Sequence, residues 1–281
     1  MKPWTDRSGR LSYLKLATLT GLLAPAAWMA WQFETGLFGP LPIDGLIDQS
    51  GRWAIRILLL SLLVTPMMRI ADWPRLILVR RMIGIGALSY AGLHLFAYTL
   101  NQNLDLLRVA SEIAQRLYLT LGFSAVIGLA VLGATSSDAM IRRMGRSWRN
   151  LHRIVYVIAA VGITHFLLQA KIDATEPTLM AGLFILLMAY RVVAARRVRL
   201  TPLVVLAVAA VSALLTAGME FGWYRVATGV NAMAVLQANL AFPILIRPAP
   251  VVLLAGSALA LIRFLRNLRG RMIASATPAR A

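Results

Sequence analysis

Cysteine is absent from this chain of 281 residues, which excludes disulfides, iron–sulfur clusters and covalent haem attachment through a C-x-x-C-H motif. Charge is also scarce, since 14% of the residues are charged and 59% are hydrophobic. A soluble domain of this length could not bury so much apolar surface. Apolar runs of about 17–25 residues recur, the length that an α-helix needs to cross a bilayer. The composition therefore predicts an all-α protein, a polytopic membrane helical bundle.

Eight apolar segments are predicted to cross the membrane as helices. They lie near residues 13–31, 54–70, 82–100, 116–134, 151–169, 178–195, 202–219 and 248–266. The stretch 232–247 is also apolar, but polar residues and a proline interrupt it, so we expect it to lie in the membrane interface or to fold back. The first segment resembles a signal peptide near Ala24-Pro25-Ala26, but its apolar run continues through Trp28 and Trp31, which favours an uncleaved first span.

Acidic residues are few, 11 against 29 lysines and arginines, and the formal net charge is +18. Such a charge suggests nucleic acid as a partner of a soluble protein. Here the basic residues cluster between apolar runs, so membrane topology explains them and we expect no nucleic acid partner. Because cytoplasmic loops carry the excess of lysine and arginine, the alternation of basic connections predicts that both termini are cytoplasmic.

Histidine occurs only three times, and His94 and His165 lie inside apolar segments. An intramembrane histidine is costly unless it lines a cavity, finds a partner or binds a metal. In the predicted orientation the third and fifth spans both run outward, and the two histidines reach nearly the same level, about 12–14 residues along each helix. Two such imidazoles can ligate one haem iron from opposite faces, which suits electron transfer. The alternative is that each histidine hydrogen-bonds a carbonyl or hydroxyl group.

The third histidine, His152, lies at the predicted cytoplasmic end of the fifth span. About 20 Å of helix separates it from His165, so the two cannot share one haem. A second haem would need a histidine near the start of the third span, where Arg80-Arg81-Met82 stands. His152 is therefore either solvated or in contact with a flavin or quinone bound at the inner side.

Arginines surround this predicted inner site, which could hold an anionic cofactor because arginine pairs well with phosphate. The candidates are Arg80, Arg81, Arg149 and Arg153. Topology alone is the competing explanation, since cytoplasmic connections are basic in any case.

Several stretches together carry a resemblance to a known family. They are Arg80–Gly84 with Tyr90–Tyr98, Arg116–Gly122 with Thr135–Met140, Trp148–Tyr156 continuing to His165, and the shorter Gly51-Arg52-Trp53 and Thr65-Pro66. Across about residues 10–200 the chain resembles the MsrQ (YedZ) family, the haem-binding membrane subunit of the bacterial periplasmic methionine-sulfoxide reductase system, within the ferric-reductase-like transmembrane superfamily.

The resemblance implies haem b and, in the family description, FMN. It implies a bacterial inner-membrane protein that takes electrons from a cytoplasmic flavin reductase or from quinol. It also implies delivery to a periplasmic molybdopterin methionine-sulfoxide reductase, MsrP-like, which repairs oxidised envelope proteins. His94 and His165 match the family's haem-ligand positions, and His152 matches its third histidine.

The chain departs from this pattern at its C-terminal end. We predict a ferric-reductase-like haem-binding core of six helices at 1–200, then about two extra helices at 201–281. Polar and aromatic residues in the extension are expected to be ordinary interfacial residues, the alternative being a partner-docking or quinone surface. They are Glu220, Trp223, Tyr224, Asn231 and Gln237.

Other functions stay open at this point. The chain is predicted to be an electron-transfer subunit rather than a self-sufficient enzyme, with no catalytic residues of its own. A ferric reductase or NADPH oxidase generally has a fourth histidine and a soluble nicotinamide domain with a G-x-G-x-x-G motif, both missing here. The remaining alternatives are a membrane cytochrome b that serves another periplasmic reductase, and a transporter with structural histidines.

Overall fold

The computed structural model describes residues 3–5, 8–170, 172–241 and 247–276. Within these ranges the chain is helical, and an isolated bridge between Thr5 and Leu11 is its one β feature. The helices are α1 (Tyr13–Glu34), α2 (Pro42–Ile70), α3 (Ile77–Asn101), α4 (Leu106–Gln115), α5 (Leu117–Ala134), α6 (Asp138–Met144), α7 (Arg146–His152), α8 (Val155–Gln169), α9 (Thr175–Ala195), α10 (Pro202–Ala227), α11 (Ala232–Leu240) and α12 (Pro248–Ala276). The predicted all-α class is confirmed.

Helices long and apolar enough to cross a membrane account for most of the bundle. In the described part of the chain there are seven such segments: Pro42–Ile70, Pro74–Asn101, Leu117–Ala134, Arg146–Gln169, Thr175–Ala195, Pro202–Ala227 and Pro248–Arg269. Each matches one of the predicted spans from the second to the eighth, to within one residue where the segment is shorter. The first predicted span forms α1 but is not among the seven.

Short helices join several of the long ones, and side-chain caps mark where they begin. Asp105 caps α4, since its carboxylate accepts a hydrogen bond of 3.0 Å from the backbone amide of Arg108. Ser137 caps α6 in the same way. Such caps satisfy backbone donors that have no partner within the helix. Gly145, with φ +53°, separates α6 from α7. The fifth predicted span, 151–169, is also divided, because α7 ends at His152 and α8 begins at Val155. His152 therefore lies at the end of α7 and not inside α8.

The chain forms two compact units. The first comprises Met1–Ser61 and Ile77–Gln169, and the second comprises Leu62–Leu76 and Ala170–Ala281. Helix α2 contributes residues to both. Helix α9 belongs to the second unit, where it packs against α10 and α12, although the sequence analysis places it in the 1–200 core.

In the first unit, close helix contacts bring the histidine-bearing helices together. Helix α5 packs along α8 and against α3, which also packs on α1. A Cβ built on Gly128 of α5 would lie 2.8 Å from the Ile158 side chain of α8. Glycine at such positions lets membrane helices approach closely. The α5–α8 pair is therefore held at a short separation.

In the second unit, small residues pack α9, α10 and α12. A Cβ built on Gly256 of α12 would overlap the Cβ of Ala209 on α10. Without a hydrophobic driving force between helices in lipid, this close packing supplies the association energy. Helix α11, with nine residues, is too short to span a bilayer. Residues 242–246 of the predicted interfacial stretch 232–247 lie outside the described residues.

A buried ionic network joins α10, α11 and the start of α12. Glu220 is fully buried and accepts hydrogen bonds from Asn239 Nδ2 at 2.5 Å and Arg247 Nη2 at 2.6 Å. The Oδ1 atom of Asn239 accepts from the backbone amide of Ala249 at 3.1 Å. The prediction that Glu220 is an ordinary interfacial residue is therefore wrong. A buried carboxylate needs a partner, and here it has two.

The other extension residues have structural roles of their own. Tyr224 is also buried, and its hydroxyl accepts from the backbone amide of Ala174 at 3.2 Å. Asn231 caps α11 by accepting from the amides of Met233 and Ala234. These contacts account for both side chains without a bound partner.

Candidate functional site

His94 on α3 and His165 on α8 face each other in the first unit. Their ring centroids are 6.2 Å apart, and the ring planes cross at 74°. The Nδ1 atom of His94 lies 2.8 Å from the carbonyl oxygen of Ile47, and Nδ1 of His165 lies 2.7 Å from that of Tyr118. A carbonyl can only accept, so each Nδ1 carries the proton and each neutral ring keeps its lone pair on Nε2.

The helices that supply these carbonyls also supply a glycine to each ring. Gly51 lies one turn after Ile47 on α2, and Gly122 one turn after Tyr118 on α5. A Cβ on Gly51 would lie 2.9 Å from Nδ1 of His94, and one on Gly122 would lie 2.8 Å from Nδ1 of His165. Both imidazoles therefore rest directly against the backbone of a neighbouring helix.

The two halves of this arrangement are equivalent along the chain. In each half the histidine follows its carbonyl partner by 47 residues. Helices α2 and α3 build one half, and α5 and α8 build the other. The bundle thus presents one imidazole from each of two similar helix pairs.

The spacing of the rings fits a single iron between them. An imidazole nitrogen binds a metal ion at about 2.0–2.1 Å, and with a ring radius of about 1.15 Å two opposed ligands place their centroids about 6.3–6.5 Å apart. The observed 6.2 Å is close to this range. No group of three or more His, Cys, Asp or Glu side chains that could hold a metal is present in the described residues.

His152 lies in a separate cluster. Its ring stacks on Trp148 with centroids 3.9 Å apart, and its Nε2 lies 3.1 Å from the Thr135 hydroxyl. The Trp148 indole donates to the Thr135 carbonyl at 2.9 Å. Thr135, directly after α5, therefore holds one ring nitrogen of His152, and Trp148 of α7 covers one face of the ring.

The four predicted arginines have three different placements in the structure. Arg80 acts electrostatically on His152, whereas Arg81 forms an ion pair with Asp138 and donates to the Ser136 carbonyl. Arg149 and Arg153 are exposed at the end of α7. The structure thus brings Arg80 to His152, ties Arg81 to the start of α6, and leaves the other two at the surface.

A polar network lies beside the His165 half of the site. The Tyr98 hydroxyl donates to Glu112 at 2.8 Å, and Arg116 donates to the Tyr118 hydroxyl at 3.1 Å. The hydrogen bond from Tyr98 lowers the pKa of Glu112, and the charges of Arg116 and Arg108 lower it further. The Tyr118 ring lies 6.5 Å from the His165 ring and is nearly parallel to it.

Sequence reasoning gave no role to Gly51, Gly122 or the two carbonyls. A backbone carbonyl leaves no trace in the sequence, because every residue has one. The glycines do leave a signal, since each stands at the same distance along the chain from its histidine. This equal spacing is the one sequence feature that could have paired each glycine with its histidine.

The helical membrane bundle that carries the paired imidazoles is ferric-reductase-like. The family model described as "Ferric reductase like transmembrane component" matches residues 50–163, which include His94 and His152 and end just before His165.

Two curated relatives narrow the class. The chain is 38% identical over 198 residues to the "Protein-methionine-sulfoxide reductase heme-binding subunit MsrQ" of Caulobacter vibrioides, covering 68% of this chain and 94% of that protein. It is 37% identical over 196 residues to the protein of the same name from Rhodospirillum rubrum, covering 69% and 92%. The chain belongs to the MsrQ family, as the resemblance predicts. No solved structure gives a significant match.

Proposed function

We propose that this chain is a haem b subunit that carries electrons across the bacterial inner membrane to a periplasmic molybdopterin methionine-sulfoxide reductase. His94 and His165 would hold the haem iron through their Nε2 atoms. The observation that carries this proposal is the pair of rings 6.2 Å apart with both Nδ1 atoms committed to carbonyls. The relatives named as heme-binding subunits of a protein-methionine-sulfoxide reductase support the choice of cofactor and of partner.

The residues around His94 and His165 suit the site to electron transfer. The carbonyls of Ile47 and Tyr118 hold each imidazole in the tautomer whose Nε2 can bind iron. When bound, the haem would supply a one-electron iron couple. The hydrogen bonds to the Ile47 and Tyr118 carbonyls would hold both rings in place, which suits electron transfer because little rearrangement is then required.

Electrons enter, in this proposal, at the cytoplasmic end that carries His152. Arg80 lies near this imidazole, and Arg149 and Arg153 are exposed beside it. Their positive charge suits an anionic donor such as FMN, because guanidinium groups bind phosphate well. Quinol is the alternative donor at this end. The electrons leave at the opposite end, which the distribution of basic residues assigns to the periplasm.

Electron delivery to the proposed partner tests the function. The purified protein is reduced with dithionite, freed of excess reductant, and mixed with a periplasmic methionine-sulfoxide reductase and methionine sulfoxide. We expect reoxidation only when both are present. Two results would contradict the proposed partner. One is reoxidation at the same rate without the reductase, and the other is no reoxidation at all when an active reductase and methionine sulfoxide are both present.

The variant His152→Ala separates entry from exit. It should leave partner-dependent reoxidation unchanged while slowing reduction by a flavin reductase or by a quinol analogue, each tested separately. If reduction by both donors proceeds at the original rate, His152 and its arginines have no part in electron entry.

A further inference from the structure

The two imidazole planes cross at 74°, and the backbone of the neighbouring helices fixes each of them. We propose that Gly51 and Gly122 are positioning residues that hold these planes crosswise and thereby set the electronic state of the bound iron. This inference rests on the proposed ligation by His94 and His165, and it adds a cause for the orientation of the rings.

Each imidazole is constrained by two contacts at once. The hydrogen bond from Nδ1 to a carbonyl fixes which way the ring edge points. The glycine fixes the rest, because a Cβ at 51 would lie 2.9 Å from Nδ1 and 3.1 Å from Cε1 of His94, and one at 122 would lie 2.8 Å from both atoms of His165. A ring that turns about its Cβ–Cγ bond must give up its hydrogen bond or strike the helix.

Any larger residue would close this space. Real Cβ atoms essentially never approach another heavy atom within 3.0 Å, so a group must shift in Gly51→Ala and Gly122→Ala, and we expect it to be the imidazole, whose atoms are the nearest. The displaced ring then either rotates about its Cβ–Cγ bond or loses its hydrogen bond to the carbonyl. Either change alters the angle between the two ligand planes, since the two halves are built on separate helix pairs.

Crossed and parallel ligand planes give different ferric iron. Each imidazole donates from one π orbital, perpendicular to its ring, into one of two iron d orbitals. Parallel rings both donate into the same d orbital, which separates the energies of the two d orbitals. Crossed rings donate into different d orbitals, so the two orbitals stay nearly equal in energy. Near-degeneracy leaves orbital angular momentum unquenched, so the g values become strongly anisotropic. Electron paramagnetic resonance of the oxidised protein therefore reports the ring angle directly.

The chain offers controls for both glycines. Gly128 lies on α5 like Gly122, and its Cβ would meet Ile158 of α8 at the same 2.8 Å, without touching a histidine. Gly92 lies on α3 near His94, and a Cβ there would have nothing within 4 Å. Gly128→Ala therefore reproduces the strain between α5 and α8, and Gly92→Ala reproduces the change in helix propensity alone.

The experiment is low-temperature electron paramagnetic resonance on the oxidised full-length holoprotein, with an optical spectrum of each sample. We expect the unmodified protein to give a low-spin signal dominated by one low-field feature. Gly51→Ala and Gly122→Ala should convert it to a rhombic three-line signal or to high-spin iron, while Gly92→Ala and Gly128→Ala keep the original signal.

Three results would overturn the inference. A rhombic signal in the unmodified low-spin protein rejects crossed planes while leaving bis-histidine ligation intact. An unchanged signal in both Gly51→Ala and Gly122→Ala, or the same change in Gly128→Ala, rejects the glycines as positioning residues. Absence of any low-spin haem in the unmodified protein rejects the proposed function, and this inference with it.

Discussion

Removing Arg247 should destabilise the second unit far more than removing an exposed arginine. The guanidinium of Arg247 lies 2.6 Å from Glu220, and the side chains are 21% and 0% exposed. Breaking a buried ion pair by deleting one partner costs about 3–5 kcal/mol, because the other charge stays buried without compensation. Asn239 still donates to Glu220, so we expect Arg247→Met to cost about 3 kcal/mol, at the lower end of that range.

The double variant Arg247→Met with Glu220→Gln separates the effect of the buried charge from the effect of side-chain packing. Glu220→Gln removes the buried charge and keeps an acceptor for Asn239, so adding it to Arg247→Met should recover about 2 kcal/mol, a coupling typical of residues in one network. The assay is equilibrium unfolding in detergent micelles, followed by helical circular dichroism, in which 3 kcal/mol corresponds to about a 100-fold change in the unfolding constant.

An exposed ion pair provides the control. Asp48 and Arg52 lie 2.9 Å apart with side chains 53% and 40% exposed, and such pairs contribute about 0–1 kcal/mol. Asp48→Asn should therefore lower the free energy of unfolding by less than about 1 kcal/mol. If Arg247→Met costs no more than Asp48→Asn, or if the double variant is simply additive, the buried network does not stabilise the extension as described.

Three further changes should have distinct outcomes. Gly256→Ala should lower the free energy of unfolding by about 1–3 kcal/mol in the same assay, because the added methyl group overpacks the contact with Ala209. Thr135→Val should cost about 1 kcal/mol by removing a hydrogen bond to His152, with an unchanged haem spectrum. The pKa of Glu112 is lowered in the folded protein, so its stabilising contribution is present above its unfolded pKa of about 4.3 and is lost as pH falls through the folded value. Thermal unfolding of Glu112→Gln should therefore lose part of the pH dependence below about pH 4.3 that the unmodified protein shows.

Each of these three predictions has an outcome that would contradict it. Gly218→Ala, where a Cβ would have nothing within 4 Å, is the control for Gly256→Ala, and equal stability of the two would contradict the packing argument. A haem spectrum altered by Thr135→Val would link the His152 cluster to the paired histidines. Identical acid profiles for Glu112→Gln and the unmodified protein would remove Glu112 from the pH response.

The helical class and the paired histidines were predictable because both depend on local sequence. Long apolar runs can only be helices in lipid, and helix rise converts residue number into depth. The division between α7 and α8 was not predictable in this way, since Arg153 and Ile154 are neither glycine nor proline. In the structure the junction is a tight turn, in which the amides of Arg153 and Ile154 donate to the carbonyls of Asn150 and Leu151.

The burial of Glu220 was missed for a different reason. Its partners Asn239 and Arg247 lie on other segments of the extension, and pairing across segments leaves no periodic signal. The contact between each imidazole and its glycine is likewise a tertiary feature. The sequence shows only the equal spacing, whose meaning depends on α2 lying against His94 and α5 against His165.

The central claim is that one haem b is bound between His94 and His165. Its most direct test is the reduced-minus-oxidised optical spectrum of the purified protein beside His94→Ala and His165→Ala. We predict a six-coordinate, b-type spectrum that disappears in both variants and persists in His152→Ala. Full retention of that spectrum in both ligand variants, or no haem in well-folded unmodified protein, would contradict the claim.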